Sequence, residues 1–257
     1  ALGGCVDKQD NIIITGHTTG SFPTYTYQGA IDIFSIKINT SGNVVFIYQY
    51  GGLGKEFARD CYTDSLDNIY IVGHTTSTLY GQTPIGWEDG LLIKLDSNFS
   101  HIKTIYNQTT LRDDMLSIVI DSLDNVYIAG YSHGNLNGAG NNNGTKDAYI
   151  TKYDNLVNHI FTKRIAGGNS DDIAFVLAID KFDKIYVSGF TSTSINGELN
   201  SGGADAFFVK YDSAGNLLMA KVWGSTADDY ARGIFIDNYN NIHVTGFIGG
   251  NSLYKTY

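Results

Sequence analysis

The chain has 257 residues, with 26 Asp and Glu against 17 Lys and Arg, a formal net charge of -9 and a pI near 4.9. That balance disfavours a nucleic-acid partner, which needs clustered Lys and Arg against phosphate. The longest apolar runs, such as Asn11 to Thr15 and Ala206 to Val209, are far too short for a membrane span.

Only 2 prolines stand against 30 glycines, 18 tyrosines and 13 phenylalanines, which predicts many short aromatic-rich strands joined by glycine turns. Five near-identical phrases order these strands along the chain: DKQDNIIITGH from Asp7, DSLDNIYIVGH from Asp64, DSLDNVYIAGY from Asp121, DKFDKIYVSGF from Asp180 and DNYNNIHVTGF from Asp237. They recur about every 57 residues, just above the period typical of repeat architectures. The repeats run over about 1–50, 51–106, 107–165 and 166–224, with a partial fifth over 225–257, and are expected to build one domain, 1–257.

The first repeat carries Cys5, and the second carries Cys61 in the same strand at a different offset: two residues before Asp7 and three before Asp64. Opposite parity is expected to point these side chains to opposite faces of their strands, favouring two thiols over a disulfide. The fourth repeat shows the unit most clearly. Apolar Ala174 to Ile179, then Lys184 to Phe190, Asp205 to Tyr211 and Asn216 to Gly224 read as four strands. A tight loop opened by Asp180 joins the first two, and Asp212 to Gly215 is a good turn between the last two.

Stacking the third strands shows a period of two after each leading Asp: Phe34, Ile36, Ile38; Leu91, Ile93, Leu95; Tyr149, Thr151, Tyr153; Phe207, Val209, Tyr211. The opposite face carries Lys37, Lys94, Lys152 and Lys210. The connection between second and third strands, roughly 15 residues, is the variable region and the expected place for recognition. Four short antiparallel strands per unit, repeated with this fidelity, predict an all-β chain: a β-propeller of four-stranded antiparallel blades, four full repeats plus a partial fifth.

The loop motif Phe22-Pro23-Thr24, the third strand GGADAFFVKYD (Gly202 to Asp212) and the repeat end GSTADDYA (Gly224 to Ala231), together with the Asp-led phrases, make the whole chain resemble the SBBP family. The resemblance implies a propeller that is secreted or at the cell surface, and it implies no particular activity.

The fifth unit supplies a first strand, Ala231 to Ile236, and a second, Asn241 to Gly246, but no third strand with Asp, aromatic stripe and Lys. Three readings are open: an excerpt of a longer propeller, a ring with a degenerate fifth blade, or a subunit completed by another chain through β-strand addition.

The Asp of each D-x-x-[DN]-N phrase is expected to cap its own turn, because a calcium loop needs ligands at alternate positions and a closing Glu. The acids before each first strand, Glu56, Asp113, Asp172 and Asp229, are expected to gather near one mouth of a central channel. Asp113, Asp172 and Asp229 are the candidate metal ligands, for Ca2+ if any, though an acid repeated in every unit argues for architecture over catalysis. His17 and His74 occupy an aromatic slot filled later by Tyr131, Phe190 and Phe247. Tyr25, Tyr27, Tyr80, Trp87 and Asn142, with Asn141 and Asn143 beside it, lie in the variable loops and would suit a sugar, rings stacking on its faces and amides bonding its hydroxyls. Four Asn-x-Ser/Thr acceptor patterns, at Asn39, Asn98, Asn107 and Asn143, are about as many as chance supplies.

The sequence therefore predicts a non-enzymatic extracellular or cell-surface scaffold, without catalytic residues or a required cofactor, that contacts other protein subunits. The alternatives are a lectin-like propeller binding glycans and, behind it, a metal-assisted hydrolase at the channel mouth.

Overall fold

In the computed structural model the described residues are 1–107, 109–136, 142, 145–166 and 169–250. Asn141, Asn143 and residues 251–257 lie outside them. Every described element is a β-strand and none is a helix. By internal contacts the chain divides into two compact units, Ala1–Val126 and Tyr127–Tyr257.

In the first unit, β1 (Gly3–Val6), β2 (Ile12–Thr18), β3 (Asp32–Ile38) and β4 (Val44–Tyr50) form one antiparallel sheet in chain order. A second such sheet follows from β5 (Glu56–Thr63), β6 (Ile69–Thr75), β7 (Asp89–Leu95) and β8 (His101–Asn107), and then comes β9 (Asp113–Ile120). β10 (Val126–Ser132), β11 (Asp147–Tyr153) and β12 (His159–Ala166) continue the third set in the same order. The second unit also holds a four-stranded sheet of β13 (Ile173–Ile179), β14 (Ile185–Thr191), β15 (Asp205–Tyr211) and β16 (Leu217–Trp223), and a two-stranded sheet of β17 (Asp229–Ile236) and β18 (Ile242–Ile248). The strands read from the fourth repeat agree with these to within a residue at either end.

The second-strand glycine has a local cause. β5, β13 and β17 each carry one extra residue against their partner, at Arg59, Phe175 and Arg232. Such a bulge swings a carbonyl toward the neighbouring strand. A Cβ on Gly73, Gly189 or Gly246 would fall on the carbonyl oxygen of Phe57, Ile173 or Tyr230 respectively. Only glycine lets the backbones approach this closely.

The core of the first unit joins its two sheets through Ile13, Ile33, Ile69, Ile71, Leu91 and Ile93. β7, and β11 in the second unit, are buried along their whole length. The lysine-bearing face of the third strand is thus as much inside as the apolar face, and Lys94 and Lys152 are buried. Their ammonium groups reach polar partners at the sheet end, which is what makes their burial tolerable.

The two cysteines are the free thiols expected from the sequence, but they are not kept apart as their parity predicts. Their strands lie side by side: Cys61 Sγ donates to the carbonyl of Ile13, the residue paired with Cys5, at 3.8 Å. The parity argument holds within one strand. Where one sheet's face packs on the opposite face of the next, side chains of opposite parity are the ones that meet.

Candidate functional site

The first hairpin of every repeat is built around its leading Asp. Asp64 Oδ1 accepts the backbone N–H groups of Leu66 and Asn68, both at 2.9 Å. Asp7, Asp121, Asp180 and Asp237 make the same pair of bonds two and four residues on. Three residues after each stands Asp10, Asp67, Asp124, Asp183 or Asn240 at φ between 56° and 63°, a left-handed position that Asp and Asn tolerate best. The carboxylates are therefore committed to their own turns.

The third-strand lysine completes this unit. Lys37 Nζ lies 2.7 Å from Asp7 Oδ2, Lys94 Nζ 3.7 Å from Asp64 and Lys210 Nζ 4.0 Å from Asp180. Lys94, Lys152 and Lys210 each sit 4.8 Å over a second-strand tyrosine ring: Tyr70, Tyr127 and Tyr186. Tyr70 and Tyr186 in turn donate their hydroxyls to Asp64 and Asp180. Burial alone would raise the Asp7 carboxyl, but the Lys37 and Asn11 bonds outweigh it and hold the group below the usual range. In the fifth repeat Asp237 takes His243 Nε2 at 3.1 Å instead. The Asp and the Lys of this grouping each repeat visibly in the sequence, but the spacing alone did not join them or single out the tyrosine between them.

Adjacent hairpins of the first unit are stitched to one another. Lys8 N–H donates to Asp67 Oδ1 at 2.9 Å and Ser65 N–H to Asp124 Oδ1 at 2.8 Å. Together these hairpins line an open cavity of about 300 Å3, walled by Asp7, Lys8, Asp64, Ser65, Asp121 and Asp124.

The acids expected at a channel mouth are deeply buried. Glu56, Asp113, Asp172 and Asp229 are 0–1% exposed, each at the start of its first strand. Their backbone N–H groups donate to Ile31, Glu88, Lys146 and Ala204, which precede the leading Asp of the previous third strand. This brings carboxyls together in pairs: Asp32 with Glu56, and Asp205 with Asp229, around the Cα of Gly51 and Gly224. Asp172 likewise sits beside Asp147, which pairs with Arg164 at 3.1 Å.

Most oxygens in these pairs are satisfied. Glu56 Oε1 accepts the Thr75 and Ser77 hydroxyls and Oε2 the Gly52 N–H. Asp32 Oδ2 accepts from Gln28 and Gln49. Asp32 Oδ1, Asp172 Oδ2 and Asp205 Oδ1 have no donor. Burial, helped by the facing carboxylate, raises Glu56, Asp205 and Asp172, the last to about 6. At this depth the acids do not touch solvent or a ligand in it. Among the described residues, no group of three or more His, Cys, Asp or Glu is placed to hold a metal.

Of the sugar-site candidates, four have partners within the chain. The Tyr25 hydroxyl donates to the Ile47 carbonyl and that of Tyr27 to the Ala30 carbonyl. The Tyr80 ring is stacked on Tyr50 at 4.2 Å and on His101 at 3.5 Å. Asn142 donates from its backbone to Asn135 and from its amide to the Ser132 carbonyl. Trp87 is 77% exposed. His17 and His74 flank the Phe57 ring at 4.7 and 4.6 Å, and His74 Nδ1 also lies 3.0 Å from Asp114 Oδ1, whose other oxygen pairs with Arg59.

The model of the SBBP family, a beta-propeller repeat, matches residues 117–137, the stretch containing the hairpin opened by Asp121. A WD repeat-containing protein of Acanthamoeba polyphaga mimivirus is 24% identical over an alignment that takes in 93% of this chain. The chain spans only 23% of the length of that curated relative. Among solved structures, a protein of unknown function from Bacteroides caccae matches over 96% of this chain and 70% of its own, with a TM-score of 0.53 and 6% identity, a likeness of fold. A gluconolactonase from Xanthomonas campestris matches over 95% of this chain and 68% of its own, with a TM-score of 0.49 and 12% identity.

Proposed function

We propose that the chain is a β-propeller of four complete repeats and a partial fifth that acts as a non-enzymatic scaffold, outside the cell or on its surface, through contacts with other proteins. The repeated antiparallel four-stranded sheets, the SBBP match and the WD-repeat relative support the propeller. The recurrent acids support architecture over chemistry, since each is committed to a turn or to a sheet junction.

One observation carries the contact reading. Among the described residues β18 pairs only with β17, so its other edge offers a row of backbone donors and acceptors. β2, β6 and β14 each receive a third strand at that edge, and its lysine runs to the hairpin Asp. Asp237 occupies the corresponding place. The edge therefore suits an extended segment of the pattern Asp-x-apolar-x-apolar-Lys, added as a strand. A carbohydrate reading is less well supported, because Trp87 alone of its five residues is largely exposed and the other four have hydrogen-bond or ring partners within the chain.

The test is a labelled peptide of sequence Gly202 to Ala214, titrated with the protein and followed by fluorescence anisotropy. Saturable binding is expected, weakened when the peptide carries Lys210→Glu or the protein carries Asp237→Lys. Equal binding of a scrambled peptide, or no binding, overturns the proposal.

A further inference from the structure

Cys5 lies in β1 opposite Ile13, and Cys61, 2% exposed, lies in β5. These strands belong to different sheets and are held together at several points. Cys61 Sγ donates to the Ile13 carbonyl at 3.8 Å, the carbonyl of the residue paired with Cys5. Two residues further along, the Thr63 hydroxyl donates to the Val6 carbonyl at 2.8 Å. On the other side, a Cβ on Gly3 would come 2.6 Å from Asp60 Cα, so the two backbones are almost in contact there. Cys61 belongs to the apolar cluster of this unit and Cys5 packs against it.

We infer that Cys5 and Cys61 are a disulfide-forming pair that staples the first strand of the first repeat to the first strand of the second. Cys61 Sγ bonds the carbonyl of the residue paired with Cys5, and the strands on either side are pinned, so bridging needs side-chain rotation more than backbone movement. The neighbouring Cys5, together with burial, pushes the Cys61 thiol up, so the folded reduced pair reacts slowly and the bridge forms chiefly as the chain folds. The oxidant is a disulfide such as oxidised glutathione. One Sγ–Sγ bond forms, each cysteine gives up its proton, and the two electrons reduce glutathione disulfide to two thiols. The bridge closes a loop that contains β2, β3 and β4, and it fixes β1, the shortest strand and one at a sheet edge.

The experiment refolds the full chain from urea in a glutathione redox buffer, followed by intact mass, thiol alkylation and non-reducing peptide mapping. The expected product is a monomer lacking two hydrogens, with the Cys5 and Cys61 peptides joined. Its thermal midpoint should lie above that of the reduced protein and return on reduction. Cys5→Ser, at the less buried position, should fold and lose the redox dependence, which keeps the test readable if Cys61→Ser does not fold. Two alkylatable thiols after refolding, a bridge between chains, or a redox-dependent midpoint that survives in Cys5→Ser would each overturn the inference.

Discussion

Replacing Asp172 by Asn should stabilise the protein at neutral and alkaline pH and do little in acid. Asp172 is 0% exposed, and its Oδ1 accepts from Thr191 and Ser192. Its Oδ2 has no donor. Burial first, and the neighbouring carboxylates after it, raise the group from 3.8 to about 6. A group raised in the folded state contributes stability that is fully present below its unfolded value, near pH 4, and is lost as pH rises through the folded value, near pH 6. At about 1.4 kcal/mol per pH decade, ionising it in place costs about 3 kcal/mol at pH 8, an upper figure. Asparagine keeps the acceptor for Thr191 and Ser192 and places an N–H donor at the Oδ2 position. The gain over wild type should therefore be near zero at pH 4 and grow toward about 3 kcal/mol by pH 8, or roughly 6–12 °C in the unfolding midpoint of a chain this size. Thermal and urea unfolding of both proteins, at one-unit steps from pH 4 to pH 8, measures it. A variant destabilised equally at every pH, or a wild type whose stability does not fall between pH 5 and pH 7 relative to the variant, would refute the buried-carboxyl reasoning.

Other substitutions test separate parts of the construction. Gly189→Ala places a methyl on the Ile173 carbonyl oxygen and should cost about 1–3 kcal/mol, read as a drop in the thermal midpoint. Lys210→Met removes the ammonium from Tyr186, at 4.8 Å, and from Asp180, at 4.0 Å, and should cost about 1–2 kcal/mol in urea unfolding. Asp124→Ala removes the acceptor of the Ser65 backbone and hydroxyl and should cost about 1 kcal/mol. Raised hydrogen exchange should then appear at Ser65 while the β-strand amides stay protected.

The repeat made the strands and turns legible because it displayed each position several times over. The Asp-led turn, the left-handed Asp or Asn and the lysine stripe could each be read as a column. Relations between repeats were harder to see. Glu56 meets Asp32 from the preceding repeat, and nothing in either motif marks the other as its partner. Cys5 and Cys61 meet because of their opposite parity, which within a single sheet would separate them. The loop tyrosines have a different cause. Tyr25, Tyr27 and Tyr80 lie in sequence between turns and read as surface, yet each ring or hydroxyl has a partner within the chain, because a long loop must satisfy its own backbone carbonyls or pack against its sheet.

Hydrogen exchange at β18 gives the most direct test of the scaffold reading. With the Gly202 to Ala214 peptide bound, the edge-facing alternate amides of Ile242 to Ile248 should gain protection, and those of β17 should change little. Unchanged exchange along β18 at saturating peptide, or protection appearing on other strands instead, would contradict a β18 edge that accepts a partner strand.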